Sequence, residues 1–351
     1  MENKLRDYSL ELWRGLKPYV LTVFLQFGFA LLTIIAKFAL NEGMSTFTFV
    51  VYRHALATAV IAPFALVFER NSTPPITLSI FVKIIALGLL EPVLDQNIYY
   101  LGMRMSSATF TATMGNVIPA ITFIFAWILR LEVVDLKEIR SVAKVVGTIV
   151  SISGAMVMTL YKGPIIGKGS PRLGNDYGSI ANSSDKDMVK GSIFLIIACC
   201  CWSGFIILQT LTLREYPLEL TLSALICIMG AAEGTVAALI MERGHSAAWS
   251  IGWNSKLLAI VFSAVVCSGM AYTLQGSVMK EKGPVFVTAF SPLSMILVAA
   301  AGLVFLREDL FLGGVIGSLL IVLGLYMVAW GKSKDPPLND QNLDVQLATD
   351  A

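Results

Sequence analysis

The sequence predicts an all-α polytopic membrane protein of ten transmembrane helices, arranged as two inverted five-helix repeats. Three observations predict it. Apolar residues make up 56% of the 351-residue chain and charged residues only 14%, against about 25% charged in soluble domains. The apolar residues gather into stretches of about 20, the length a bilayer core requires of a helix. The second set of five stretches then echoes the first: Gly147, Gly154 and Lys162 recur 170 positions later as Gly317, Gly324 and Lys332. Glu69-Arg70 recurs as Glu242-Arg243, and Glu132 as Glu308. A five-helix unit has odd parity, so its second copy sits upside down, the architecture of alternating-access carriers.

The spans are read, in order, at 18–40, 46–68, 79–101, 107–130 and 141–161 in the first repeat. In the second they are read at 191–213, 219–241, 256–277, 285–306 and 312–331. The first repeat thus covers 18–161 and the second 191–331. Residues 1–17 form a short leading segment, and 332–351 form a polar tail too poor in apolar residues to fold. Residues 162–190 form a Gly/Ser/Asp-rich linker. No short apolar region with a cleavage site precedes the first span, so that span is expected to be retained.

Lysine and arginine set the orientation. With the N-terminus inside, the inner loops and tails carry 15 of these residues and the outer ones 10, half of the latter in the long linker. Both termini are therefore expected in the cytosol. Asn182 would then be a luminal glycosylation acceptor, and Asn71 would not.

A net charge of +2 is too small to imply a nucleic-acid partner, and none is expected. Phosphate-cradling glycine loops, zinc-type Cys/His spacings and nucleophile elbows are absent, so no metal, cofactor or catalytic residue is expected. The five cysteines (Cys199, Cys200, Cys201, Cys227 and Cys267) all fall in apolar stretches and read as small packing residues. The partners expected are the lipid bilayer and a small-molecule cargo, and the oligomeric state is open.

Charged groups inside a span cost about 2.5–3.5 kcal/mol on insertion scales, so each needs a partner or a purpose. Arg53, His54, Glu91, Asp95 and Glu233 are such groups. Arg53 and Asp95 fall at similar depth, which allows either a structural ion pair between them or capture of a substrate carboxylate by Arg53. Glu91 and Asp95 are four apart on one helix face, so one of them is a candidate proton carrier, as is His54. Bonds to neighbouring helices are the structural alternative for all three. The amides of Gln26, Gln96, Asn116, Gln209 and Gln275 both donate and accept, which suits a neutral or zwitterionic cargo. Interhelical bonding is their ordinary role. Pro92, Pro119 and Pro292 interrupt spans and free carbonyls. Gln96 and Asn116 lie beside two of these kinks near the midplane, where a carrier's site is expected. Tyr100 and other aromatic residues are candidate lining, and the repeated glycines are close-packing positions.

At these residues the chain resembles a family. Gly88-Leu-Leu-Glu-Pro-Val-Leu-Asp-Gln-Asn-Ile-Tyr-Tyr-Leu-Gly102 is similar to the third-helix signature of plant nodulin-like, walls-are-thin-related transporters. These form the UMAMIT group of the drug/metabolite transporter superfamily, with two EamA-type domains. Leu25-Gln-Phe-Gly28, Tyr52-Arg-His54, Ser107-Ala-Thr-Phe110 and Asn116-Val-Ile-Pro119 agree with it. So do Tyr161-Lys-Gly-Pro164, Gly283-Pro-Val-Phe286, Gly324-Leu-Tyr326 and Trp330-Gly-Lys332. The resemblance implies ten helices, cytosolic termini and facilitated movement of amino acids, often export, with the plasma membrane as the place. Auxin or another metabolite at the vacuolar membrane, with or without proton coupling, is the alternative it leaves. An intramembrane enzyme lacks a nucleophile–base pair, and a sensor lacks an output domain.

Overall fold

The computed structural model describes residues 2–69, 74–105, 111, 114–129, 131–132, 137–161, 163–167, 185–243, 249, 255–305 and 310–332. Almost all of these are helical, because a backbone surrounded by apolar side chains must satisfy its own polar groups. Helix α1 spans Glu2–Asn41, so it starts well before the expected boundary at 18. Helix α2 spans Thr46–Phe68. Helix α3 (Leu78–Gly88) opens on Thr77, whose hydroxyl accepts from the Ile80 amide at 3.3 Å. It runs through a π-helical segment, Leu89–Asp95, into α4, Gln96–Arg104. A 3₁₀ turn, Gly115–Val117, leads into α5 (Ile118–Ile128), and α6 follows at Ile139–Leu160.

The second half begins with α7, Asp185–Glu215, which extends into the expected linker. Helix α8 spans Glu219–Met241. Helix α9 (Ser255–Phe262), a second π segment (Ser263–Met270) and α10 (Ala271–Lys282) make one rod. Gly283 reverses the chain at φ +81°. Helix α11 (Pro284–Ala289) breaks at Phe290, two residues before Pro292, and α12 resumes at Ser291–Phe305. Proline at 292 has no N–H to return to Thr288, which removes the bond that would carry one helix through. Helix α13 spans Leu312–Lys332. Two short strands, β1 (Ile165–Gly167) and β2 (Leu310–Phe311), pair antiparallel. The sequence reading had no strands. Asn71, Asn182, the 107–110 motif, Lys162, Glu308 and the tail beyond Lys332 lie outside the described residues.

Among the described residues, six helices are long and apolar enough to cross a membrane: Gly15–Leu40, Thr46–Phe68, Val189–Glu215, Glu219–Met241, Ser255–Lys282 and Leu312–Lys332. Gly115–Ile128 and Pro284–Val298 are shorter apolar helices. Exposed Phe64, Leu66, Val67, Phe68, Leu78, Phe81, Leu319 and Tyr326 form an outer apolar surface that water would not tolerate and lipid would. Of the cysteines, Cys199, Cys227 and Cys267 are buried as expected of packing residues, Cys201 is half-buried and Cys200 is exposed.

The closest packings join α6 to α13 and α2 to α8, and both map onto themselves when the two halves are exchanged. A Cβ at Gly147 would meet the Gly324 carbonyl at 2.7 Å, and one at Gly154 would meet the Gly317 carbonyl at 2.8 Å. Exchanging each residue for its partner 170 positions away turns the first contact into the second. The helices run antiparallel, since 147 faces 324 while 154 faces 317. In the other pair, Glu69 at the end of α2 accepts from the Leu220 amide (3.1 Å), the Thr221 amide (2.7 Å) and the Thr221 hydroxyl (2.6 Å) at the start of α8. Its counterpart Glu242, at the end of α8, accepts from the hydroxyl of Ser45, the residue that begins α2. Each carboxylate meets the positive end of the other half's helix, worth about 0.3–1 kcal/mol at an exposed site.

One end of the α6/α13 seam is locked by charge. Glu132 accepts from Lys144 Nζ at 2.9 Å and from Lys332 Nζ at 2.5 Å, and all three side chains are buried. Lys332 lies in the last turn of α13, where a cation meets free carbonyls.

Two stability outcomes follow. Gly324→Ala places a methyl against Ser151 and 2.5 Å from the Gly147 carbonyl, and is expected to cost about 1–3 kcal/mol by overpacking. Gly314→Ala, with nothing within 4 Å, should leave the thermal midpoint in detergent unchanged. Glu132→Gln leaves two buried ammonium groups without their anion and should cost about 3–5 kcal/mol, read as a lower unfolding midpoint than that of the double variant Glu132→Gln/Lys144→Met.

Candidate functional site

The two π segments place the site. In the first, the Gln96 amide bonds back to the Glu91 carbonyl, five residues earlier, and in the second the Ala271 amide bonds to Val266 in the same way. The wider turn brings i and i+5 onto one face, where an unbroken α-helix would align i and i+4. The Gln96 side-chain amide therefore reaches the Glu91 carboxylate, Nε2 to Oε1, at 2.5 Å. Tyr100, one α-turn further on, continues that face. Pro92 sits inside the turn and presses on Gly230 of α8, where a Cβ would lie 2.5 Å from its ring.

Arg53 of α2 projects between the two segments and is buried. Its Nε donates to Ser268 Oγ (2.7 Å), Nη1 to Gln96 Oε1 (2.9 Å) and Tyr100 OH (3.2 Å), and Nη2 to the Cys267 carbonyl (3.3 Å). Ser268 and Cys267 belong to the second π segment, so one guanidinium ties both halves together. Four acceptors meet five N–H groups.

Of the two alternatives for Arg53, the structural ion pair with Asp95 is not formed among the described residues. The cation is instead shared among neutral acceptors and reaches a carboxylate only through Gln96, which passes its polarity to Glu91. Glu91 and Asp95, four apart in sequence, differ in their bonding. Glu91 bonds Gln96 and Tyr272. Asp95 is buried, yet among the described residues it has no hydrogen bond or ion pair.

Below Arg53 the network continues. His54 Nδ1 lies 2.8 Å from the Val50 carbonyl, and Nε2 lies 3.2 Å from Tyr272 OH and 3.7 Å from Glu91 Oε2. The Tyr272 carbonyl accepts from Gln209 Nε2 at 3.2 Å, and Gln209 Oε1 accepts from Gln275 Nε2 at 3.0 Å. Arg53, Gln96, Tyr100, Glu91, His54, Gln209 and Gln275 are thus brought into one column, with the Gln275 carbonyl oxygen buried and unpartnered.

Asn116 stands apart. It lies in the 3₁₀ turn before Pro119, where its Nδ2 meets Met295 Sδ of α12 at 3.1 Å and its Oδ1 has no partner. Gln26 of α1 is buried and, among the described residues, makes no hydrogen bond. Phe29, three residues on, packs edge-on against Trp202 of α7. The carboxylate oxygens of Glu233 are buried and unpartnered beside Gly88, away from the column.

Tyr272 and Ser268 were not singled out from sequence, although Tyr272 joins three parts of the column. The signal was present: Ser268, Tyr272 and Gln275 follow one another at four and three, the spacing of a helix face. Hydroxyls in an apolar run read as ordinary packing until the partner across the repeat is known.

A family model described as the EamA-like transporter family matches residues 16–160 and again 189–330. Three WAT1-related proteins of Arabidopsis thaliana are similar over most of their length. One is 52% identical over 97% of this chain and 91% of its own. A second is 50% identical over 91% and 84%, and a third 50% identical over 95% and 88%. One solved crystal structure aligns over 91% of this chain and 96% of its own with a TM-score of 0.63 at 17% identity, which shows a shared fold. Two matched domains and relatives at half identity over nearly the whole chain leave one conclusion: this protein belongs to the EamA-like transporter family, carrying its domain twice, in the plant WAT1-related branch of the drug/metabolite transporter superfamily.

Proposed function

We propose that the chain carries neutral amino acids across a plant membrane as a facilitator, by alternating access of two inverted five-helix repeats (18–161 and 191–331) joined by the linker 162–190. The observation that carries the cargo class is the unequal satisfaction of Arg53 and Asp95. Among the described residues, the guanidinium keeps one N–H beyond its four acceptors, and the buried carboxylate of Asp95, just beside Gln96, has no hydrogen-bond or ion-pair partner. An uncompensated carboxylate is costly at membrane depth, and a cargo ammonium would relieve that cost while the cargo carboxylate takes the free N–H. Gln26, Asn116 and Gln275 each keep polar capacity that a cargo could use.

The rods α3–α4, α5, α6 and α11–α12, added to the six long helices, give the ten spans of this reading. The exchange of Gly147·Gly324 into Gly154·Gly317, and of the Glu69 cap into the Glu242 cap, supports the inversion. The lysine and arginine balance puts both termini, and with them the Glu132–Lys144–Lys332 lock, on the cytosolic side. The plasma membrane and outward flow complete the proposal, the direction in a facilitator being that of the gradient.

Counterflow of labelled glutamine in liposomes tests the site. Asp95→Asn removes one charge-assisted contact, worth about 1.5–3 kcal/mol, and is expected to slow exchange at least tenfold with insertion unchanged. Wild-type exchange by Asp95→Asn would sink this reading. Glutamine left untransported while an indole acid moves equally in both proteins would favour the metabolite alternative, since that anion has no ammonium to place. Arg53→Lys keeps the charge, but one ammonium cannot reach Ser268, Gln96, Tyr100 and the Cys267 carbonyl together. It is expected to lower both exchange and thermal midpoint.

A further inference from the structure

Glu91, Tyr272 and His54 are 1%, 1% and 0% exposed, and they form a chain whose two ends are fixed in polarity. At one end, the Val50 carbonyl can only accept, so His54 Nδ1 carries a hydrogen and Nε2 is the nitrogen turned to Tyr272. At the other end, Gln96 turns its carbonyl oxygen to Arg53 and so its NH₂ to Glu91 Oε1. Oε1 is therefore an acceptor, and any proton on Glu91 sits on Oε2, facing Tyr272. Between these ends lie two contacts, Glu91 Oε2 to Tyr272 OH and Tyr272 OH to His54 Nε2. Two contacts need two hydrogens, and the phenol supplies one.

We propose that Glu91, Tyr272 and His54 form a binding site for one proton that fastens the two repeats to each other, an inference that rests on the two-repeat transport reading above. With the extra proton both contacts are made, in either of two arrangements. Neutral Glu91 donates to Tyr272, which donates to neutral His54; or cationic His54 donates to Tyr272, which donates to ionised Glu91. They interconvert by one hop at each contact: the Oε2–H bond breaks as a new O–H forms on Tyr272, whose own proton passes to Nε2. Without the extra proton, one contact sets lone pair against lone pair. Glu91 and His54 belong to the first repeat and Tyr272 to the second, so losing the proton loosens a bond between the halves.

The surrounding charges fit a single proton. Arg53, one amide away, compensates an ionised Glu91. Asp95 follows on the same rod, Tyr100 on α4, Cys267 on the second π segment and Cys227 on α8. Glu233 of α8 lies further along, beside Gly88.

The chain has two histidines, so His245→Gln leaves His54 as the single signal in a nitrogen-15 histidine spectrum of the full-length protein. The expected result is Nδ1 protonated at every pH, with Nε2 alone titrating. In Glu91→Gln the anion is gone and an NH₂ donates to Tyr272, so the phenol proton stays with His54. The Nε2 midpoint should then fall by at least one pH unit, a tenfold loss of proton affinity. Tyr272→Phe should change the Nε2 shift by removing its bonded partner. A titrating Nδ1, or a midpoint and shift that ignore both variants, would overturn the site. Counterflow at equal pH reports on the transport reading alone: wild-type protein silent in counterflow fails that reading while the histidine titration still decides the proton site.

Discussion

A bilayer core offers no water to complete a polar group's hydrogen bonds, and that shortage bears hardest on Arg53. A guanidinium at that depth needs several acceptors in one plane, more than one helix supplies. The structure meets the demand from four directions at once, with a hydroxyl, an amide oxygen, a phenol and a main-chain carbonyl. Two of these come from the second π segment and two from the rod that contains the first. Both irregular turns therefore stand where the cation needs them. The column below it, through Glu91, Tyr272, Gln209 and Gln275, continues the same demand, since each group satisfied turns its other end toward the next.

Packing at the seams obeys a different rule. Between α6 and α13, and between α2 and α8, little polarity is involved except at the ends. Small residues let the backbones approach, and matched carboxylates close the helix termini. These contacts repeat on exchange of the halves, while the contacts of the column do not. Symmetric seams between the halves thus surround an asymmetric polar interior.

Much of this was legible in the sequence. Span order, the doubled glycines and the acidic helix ends are carried by hydrophobic period and by recurrence, and the structure puts Gly147 on Gly324 and Glu69 on the start of α8. The membership of the column was legible residue by residue, because charge and amide groups are conspicuous in apolar runs. Its wiring was not. The Arg53–Asp95 pair was inferred from depth along straight α-helices, and a π turn at Pro92 gave Glu91 the connection instead. Tyr272 was passed over because a hydroxyl draws its meaning from what lies across the repeat, which spacing along one chain does not reveal. Asn116 was grouped with Gln96 on the strength of a neighbouring proline, yet it faces α12 rather than Arg53.

The crossed caps also bear on how the protein is made. When α2 enters the membrane, the carboxylate that receives the Ser45 hydroxyl has not been synthesised, and it arrives only at the end of α8. Glu69, in turn, waits for the first residues of α8 to offer their amides. The early half of the chain thus leaves the ribosome with one helix start untied and one carboxylate unused. A single later segment, α8, supplies both missing partners. The order of translation makes α8 the piece that ties down α2, while Arg53 still waits for the second π segment and Glu132 for the last turn of α13.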